Sequence, residues 1–225
     1  MTSCKMRYPS LAMKIKILLL ILIVTRTLGQ DRTLSTDSDT IFWQQYNDEI
    51  KNQIGLEPID KVQGDFYFRL WTGVDVIELR KVGSTIIADV TFLVQEYKED
   101  EEGKIYFKKT RLTAVTGVKI YDLISLYKVI TLPTDKLIKG WGSGLDGITY
   151  FIETADERSY ACKAYWTPTL YKDKLVEAKQ LVDFLDEIDR IEELNLIGKA
   201  FIEQQPFSTW YSFIGSAVFV VSNKR

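Results

Sequence analysis

The stretch that decides the fold class is Ser84-Thr-Ile-Ile-Ala-Asp-Val-Thr-Phe-Leu-Val-Gln-Glu-Tyr-Lys98. Ile86, Ala88, Val90, Phe92 and Val94 alternate with Asp89, Thr91 and Gln95, the two-residue period of a strand with one buried face. Outward from it, segments near 65–71, 75–82 and 104–115 keep the β character, and short turns bearing Gly73, Gly83 and Gly103 separate the four. Connections this short leave neighbouring strands antiparallel, so this half of the chain is expected to be a meander.

Helical spacing flanks that region. Residues 30–40 (QDRTLSTDSDT) are polar and read as a mobile leader, ending in a Ser38 or Asp39 cap for a helix through Ile54. Trp43, Tyr46, Ile50 and Ile54 share one face of that helix, and Gly55 and Pro58 stop it. A second helix is expected over 119–131, where Ile120, Leu123, Ile124, Tyr127 and Ile130 form a stripe that Pro133 closes. A hairpin follows, with arms at 148–153 and 160–166 around a polar turn at 154–159. A long amphipathic helix then starts near Asp173, carries Leu175, Ala178, Leu181, Leu185 and Ile188 inward, and continues past a break towards 197–201. Hairpins in place of βαβ units, mixed with helices, indicate a single α+β domain over 30–225. The apolar tail 207–221 contains Ser208, Thr209, Ser212, Gly215 and Ser216 and falls short of the ~17–25 apolar residues of a membrane span, so it reads as a buried terminal strand or strand pair instead of an anchor.

Lys14 and Lys16 precede an apolar run from Ile17 to Val24, and Thr27 and Gly29 supply small residues before a cleavage point, so residues 1–29 read as a secretory signal peptide. Met13 is an alternative start, because 13–29 alone makes a complete signal. Cleavage removes five basic residues and no acidic ones. It leaves 24 basic against 31 acidic residues, a formal charge of −7 in place of −2. That balance argues against nucleic acid and anionic membranes as partners. Only Cys162 remains after cleavage, so the fold depends on its core and not on a disulfide. None of the four asparagines (47, 52, 195, 223) opens an N-x-Ser/Thr sequon, which fits a bacterial periplasmic or extracellular protein. The chain has no histidine, which excludes Ser-His-Asp and Cys-His catalysis and imidazole metal sites. No motif asks for a cofactor or a metal.

The loop Gly140-Trp-Gly-Ser-Gly-Leu-Asp-Gly147 is the most unusual feature. Four glycines in eight residues permit left-handed backbone and close approach of another chain segment or a ligand. It lacks the Lys-Ser/Thr and the strand-to-helix setting of a phosphate loop. It reads either as a wide turn into the hairpin or as a ligand-facing loop in which Trp141 offers a flat face and Asp146 a carboxylate. Glu153 shares a strand face with Thr149 and Phe151, opposite Ile148, Tyr150 and Ile152, where a solvated or hydrogen-bonded glutamate is the default. Asp146 and Glu153 can also be read as the acid and base of a glycan hydrolase, although carboxylates are too abundant here for that pattern to be specific. Cys162, on a face with Tyr160, Ala164 and Trp166, reads as an inert buried thiol. The acidic series Asp183, Asp186, Glu187, Asp189, Glu192 and Glu193 reads as a solvated helix face.

The run Gly144-Leu-Asp-Gly-Ile-Thr-Tyr-Phe-Ile-Glu153, followed by Tyr160, Tyr165 and Pro168 and then a helix, resembles a pattern in small exported proteins of unknown function from Bacteroidetes-type bacteria. The resemblance covers about a quarter of the chain and implies a compact α+β domain of bacterial envelope origin, with no catalytic residues attached. The expectation is therefore an exported, non-enzymatic protein that binds a partner, a small molecule or a glycan. Trp141, Asp146 and Glu153 are its candidate ligand-binding residues, and a carboxylate-dependent glycan hydrolase is the alternative.

Overall fold

The computed structural model describes residues 32–39, 50–101, 103–144, 147–207, 209–213 and 218–222. The expected signal peptide, the expected helix stretch with Trp43 and Tyr46, and Asp146 lie outside the described residues. The chain from Arg32 onward forms one compact unit. Its elements are β1 (Thr33–Leu34), β2 (Phe66–Trp71), β3 (Asp75–Val82), β4 (Thr85–Glu96), β5 (Ile105–Arg111), α1 (Ala114–Leu126), β6 (Thr149–Asp156), β7 (Ser159–Trp166), α2 (Val176–Asp189), α3 (Glu192–Glu203), β8 (Thr209–Phe213) and β9 (Val218–Ser222). The class is α+β.

The strands form one mixed sheet in the order β1-β7-β6-β2-β3-β4-β8-β9, with β5 also paired to β4. Only β1 is parallel to its neighbour. Gln95 pairs with Ile105 of β5 and with Tyr211 of β8, so the two strands flank opposite edges of β4. β3 reaches only Phe92, which leaves the rest of that edge open for β8. The turn between β6 and β7 is tighter than the sequence suggests, because Asp156 Oδ1 accepts from the backbone N–H groups of Arg158 and Ser159. An aspartate at this position closes a short turn without glycine.

The two faces of the sheet are covered differently. On one, Phe68, Leu70, Ile77, Val90 and Ile152 pack under the helices. Phe184 of α2 meets Phe68 edge-on at 6.2 Å, and Phe201 of α3 stacks on Phe92 at 6.1 Å. In α2, Ala178, Leu181, Val182, Phe184, Leu185 and Ile188 are all buried. At about 1.5–3 kcal/mol for each large side chain, that face is what holds the helix down. On the other face Trp71, Val76, Leu93 and Phe151 pack with Ile50 of a helical turn at 50–53 and with Ile54 and Leu56 just after it.

Several boundaries differ from the sequence expectation; α1 stops at Leu126, short of 131, and α2 starts at Val176, after Asp173. β5 ends at Arg111 and α1 begins at Ala114, several residues earlier than the stripe indicates, because Thr113 caps it by accepting from the N–H of Thr116. Glu193 of α3 reinforces that cap, accepting from the Thr113 backbone N–H at 3.0 Å and its hydroxyl at 2.7 Å, so it is not simply a solvated acid. The polar leader is also part of the sheet. Its residues 32–39 lie along β7 and are tied to it by Thr33 N–H to Arg158 O, Ser35 N–H to Tyr160 O and Asp39 N–H to Cys162 O. The tail forms the antiparallel pair β8–β9, and no helix among the described residues is long and apolar enough to cross a membrane.

Candidate functional site

β7 has β6 on one side, and its other edge is paired by the two-residue β1 only as far as Tyr160, which leaves the N–H and C=O groups beyond it to find other partners. Side chains from distant segments supply them. Ser38 Oγ exchanges hydrogen bonds with Cys162 N–H and O at 2.8 and 2.9 Å. Two residues further along the strand, Thr134 Oγ1 does the same for Ala164. Asp135 Oδ2 accepts from Trp166 N–H at 2.7 Å, and Trp141 Nε1 donates to Trp166 O at 2.8 Å. The same duty that blunts the sheet edge thus brings Asp39, Asp135 and Trp141 together at the end of β7.

They enclose a cavity of about 320 Å³, lined also by Lys136, Gly142, Ser143, Gly144, Thr149 and Trp166. The Gly140–Gly147 loop forms one wall. Its glycines are needed there: a Cβ on Gly144 would sit 2.5 Å from the Trp166 ring, and one on Gly147, whose φ is +151°, would sit 2.1 Å from Thr167 Oγ1. Trp141 is half-buried and not free in solvent, with its ring 5.5 Å from Tyr171 and 5.9 Å from Tyr165. Asp39 is buried and its Oδ1 accepts from Lys136 at 2.6 Å. Burial pushes the Asp135 carboxyl above its ordinary range, and the charge of nearby Asp39 adds to the effect against the hydrogen bonds from Trp166 and Lys136.

Two lining residues keep polar atoms without hydrogen-bond partners among the described residues: the acceptor Oδ2 of Asp39 and the donor Nε1 of Trp166. Leaving a buried donor or acceptor unpaired costs about 1–3 kcal/mol, so neither is a neutral feature of packing.

Glu153 belongs to a different constellation on the same face of the sheet. The register sets Cys162, Glu153, Arg69, Glu78, Asp89 and Arg111 side by side across six strands. Glu153 is fully buried, and its two oxygens take hydrogen bonds from Lys51 at 2.6 Å, Arg69 at 2.8 Å and Trp71 Nε1 at 2.9 Å. Burial alone would raise its carboxyl, but the charges of Arg69 and Lys51 outweigh it and bring it down to about 2. Glu78 continues the row, accepting from Arg69 at 3.1 Å and Lys109 at 2.5 Å. Cys162 is buried as expected, and burial pushes its thiol well up, which keeps it protonated and unreactive.

Of the three candidate residues, the structure therefore places Trp141 at the loop cavity and Glu153 in the ion row. Thr149 at the cavity and Glu153 are four residues apart along β6, about 13 Å at ~3.3 Å per residue. Asp39, Asp135 and Trp166 had no distinguishing pattern in the sequence, because only the β7 edge gathers them. Comparison of the chain with models of known families, with curated proteins and with solved structures finds no match.

Proposed function

We propose that this is an exported, non-enzymatic protein whose antiparallel meander, C-terminal hairpin and packed amphipathic helices form a scaffold for a ligand site beneath the Gly140–Gly147 loop. The observation that carries the reading is a cavity of about 320 Å³ lined by Trp141 and Trp166 together with Asp39, Asp135 and Lys136. Binding sites combine an apolar or aromatic lining with a few convergent polar groups, at volumes of about 300–1,000 Å³. Export rests on the signal-like segment 1–29.

The hydrolytic alternative with Asp146 and Glu153 draws less support. An acid catalyst holds a proton near neutral pH, whereas Glu153 is kept ionised by two cations and is closed to solvent. The test is native mass spectrometry of the 30–225 protein recovered from the envelope or secreted fraction of the cells that make it. A reproducible adduct that disappears in Trp141→Ala is expected. A bare mass for the parent protein would remove the ligand-binding reading.

A further inference from the structure

A second cavity, of about 330 Å³, shares no lining residue with the one beneath the loop and lies where α2 gives way to α3 over the sheet. Its walls belong to the core, since Phe92, Ile188, Leu194, Phe201 and Trp210 are all buried. One lining residue is out of keeping with them. Along β3, Ile77 and Leu79 join the helix-covered core and Val76 the opposite one, so the alternation puts Asp75 on the helix-covered face. The register sets it directly across from Phe92. A charge in such a place is ordinarily paired with an opposite one. Asp75 has a hydrogen bond from the Thr72 hydroxyl at 2.7 Å and, among the described residues, no lysine or arginine. The charge that acts on it is a second carboxylate of the lining, Asp189 at the end of α2. Lys199, the one cation among the lining residues, is engaged by Glu203 at 3.9 Å.

Apolar walls and uncompensated carboxylates together define the occupant. An anion is repelled by Asp75 and Asp189. A hydrocarbon or an alcohol gains from the walls, at about 25 cal/mol per Å² of apolar surface buried, and leaves the carboxylates uncompensated. A small cation with no apolar body gains nothing from the walls. An ammonium group on an apolar body answers both, because it donates to a carboxylate and is also attracted by aromatic rings. We propose that this cavity is a binding site for an apolar amine, with the ammonium group at Asp75 and Asp189 and the body against Phe92, Ile188, Phe201 and Trp210.

Four probes separate the parts of such a ligand. Phenethylamine carries both the charge and the body, phenethyl alcohol the body, ethylamine the charge, and hydrocinnamate the body with the opposite charge. Binding to the 30–225 protein is followed through the indole N–H resonance of Trp210, assigned with Trp210→Phe, at about pH 8, where the amines are protonated and Asp75, raised by burial to about 6, is ionised. Phenethylamine is expected to move that resonance saturably and to bind about tenfold or more tighter than each of the other three. Asp75→Asn keeps an oxygen for Thr72 and removes the charge. It is expected to bind the amine no better than the alcohol, with the alcohol bound as in the parent; a packing defect would weaken both alike.

The cavity is not an amine site if phenethylamine leaves Trp210 unmoved at concentrations on the order of tens of millimolar, if the alcohol binds as tightly as the amine, or if Asp75→Asn keeps the preference of the parent. Should Asp75→Asn not fold, Asp189→Asn, at an exposed position of the same lining, is expected to cut the preference for the amine by about threefold or more, and an unchanged preference there counts against the site. An adduct lost in Trp141→Ala concerns the loop cavity alone, so the two sites stand or fall separately.

Discussion

At Glu153 three donors converge on two carboxylate oxygens, and two of those donors are themselves buried cations: Arg69 is 0% and Lys51 6% exposed. Removing one partner of a buried pair leaves the others charged in a medium that cannot solvate them, at a cost of about 3–5 kcal/mol. Glu153→Gln keeps the shape and the hydrogen bond from Trp71 but removes the charge. It is expected to lower the melting temperature by roughly 10 °C, taking ~2–4 °C per kcal/mol for a domain of this size. A variant that melts with the parent would show that the row is already compensated without this carboxylate. The same figure bears on enzymology, since any activity lost in Glu153→Gln has to be measured at a temperature where the variant is folded. The strand face of Glu153, shared with Thr149 and Phe151 and opposite Tyr150 and Ile152, was legible from the alternation, but its complete burial was not. Its partners were not, because Arg69 and Glu78 come from other strands and only the pairing register sets them beside it.

Among the elements, α3 rests on the sheet through a glycine. A Cβ on Gly198 would sit 2.7 Å from Phe92 Cε1 and 2.9 Å from Cζ, and the Phe92 ring also stacks with Phe201 of the same helix. Glycine to alanine inside a helix ordinarily stabilises by about 1 kcal/mol. Here the overpacking is expected to reverse the sign, with Gly198→Ala costing about 1–3 kcal/mol in urea unfolding. A gain in stability would mean that α3 lifts from Phe92 without penalty. The helices show how far pattern reading extends. The stripe Ala178, Leu181, Leu185 and Ile188 of α2 is buried as its spacing indicates. The start of α1 is not visible in that way, since Thr-Ala-Val-Thr-Gly from 113 to 117 carries residues common in strands and its helix is set by one threonine cap. The leader 32–39 has no apolar period at all, and what holds it is Ser38 on Cys162 and Lys163 on Asp37 at 2.6 Å. The loop cavity escapes sequence reading for the same reason. Trp141 stands out beside its glycines, but Asp39 and Asp135 are ordinary aspartates until Cys162 to Trp166 need partners along the sheet edge.

Over the whole molecule, two opposed sets of carboxylates set the dependence of stability on pH. Burial, with the charge of Asp189, raises Asp75 from 3.8 to about 6 despite the hydrogen bond from Thr72, and burial raises Asp135 and Asp189 as well. Between about pH 4 and 6 the folded chain keeps a proton on Asp75 that the unfolded chain has released, so the contribution of this group to stability is full below that window and lost as the pH rises through it. Glu153 behaves in the opposite way. Its folded value of about 2 lies below the ordinary 4.5, so its contribution is present above 4.5 and lost as the pH falls towards 2. Glu78, Asp37, Asp156 and Glu193 are lowered too and add to the acid limb, burial in each case being outweighed by cations or hydrogen-bond donors. With no histidine in the chain, no side chain of that type reshapes the profile between pH 6 and 8. Stability is therefore expected to peak between about pH 4 and 6, to settle at a lower plateau above 6 and to collapse below 4. Asp75→Asn, which retains an oxygen for Thr72, is expected to raise the plateau at neutral pH by about 1–2 kcal/mol and to match the parent near pH 4. Urea midpoints measured from acid to neutral pH check both statements, and a parent profile that climbs steadily from pH 4 to 7 would place the paired carboxylates, not the buried unpaired ones, in control of the balance.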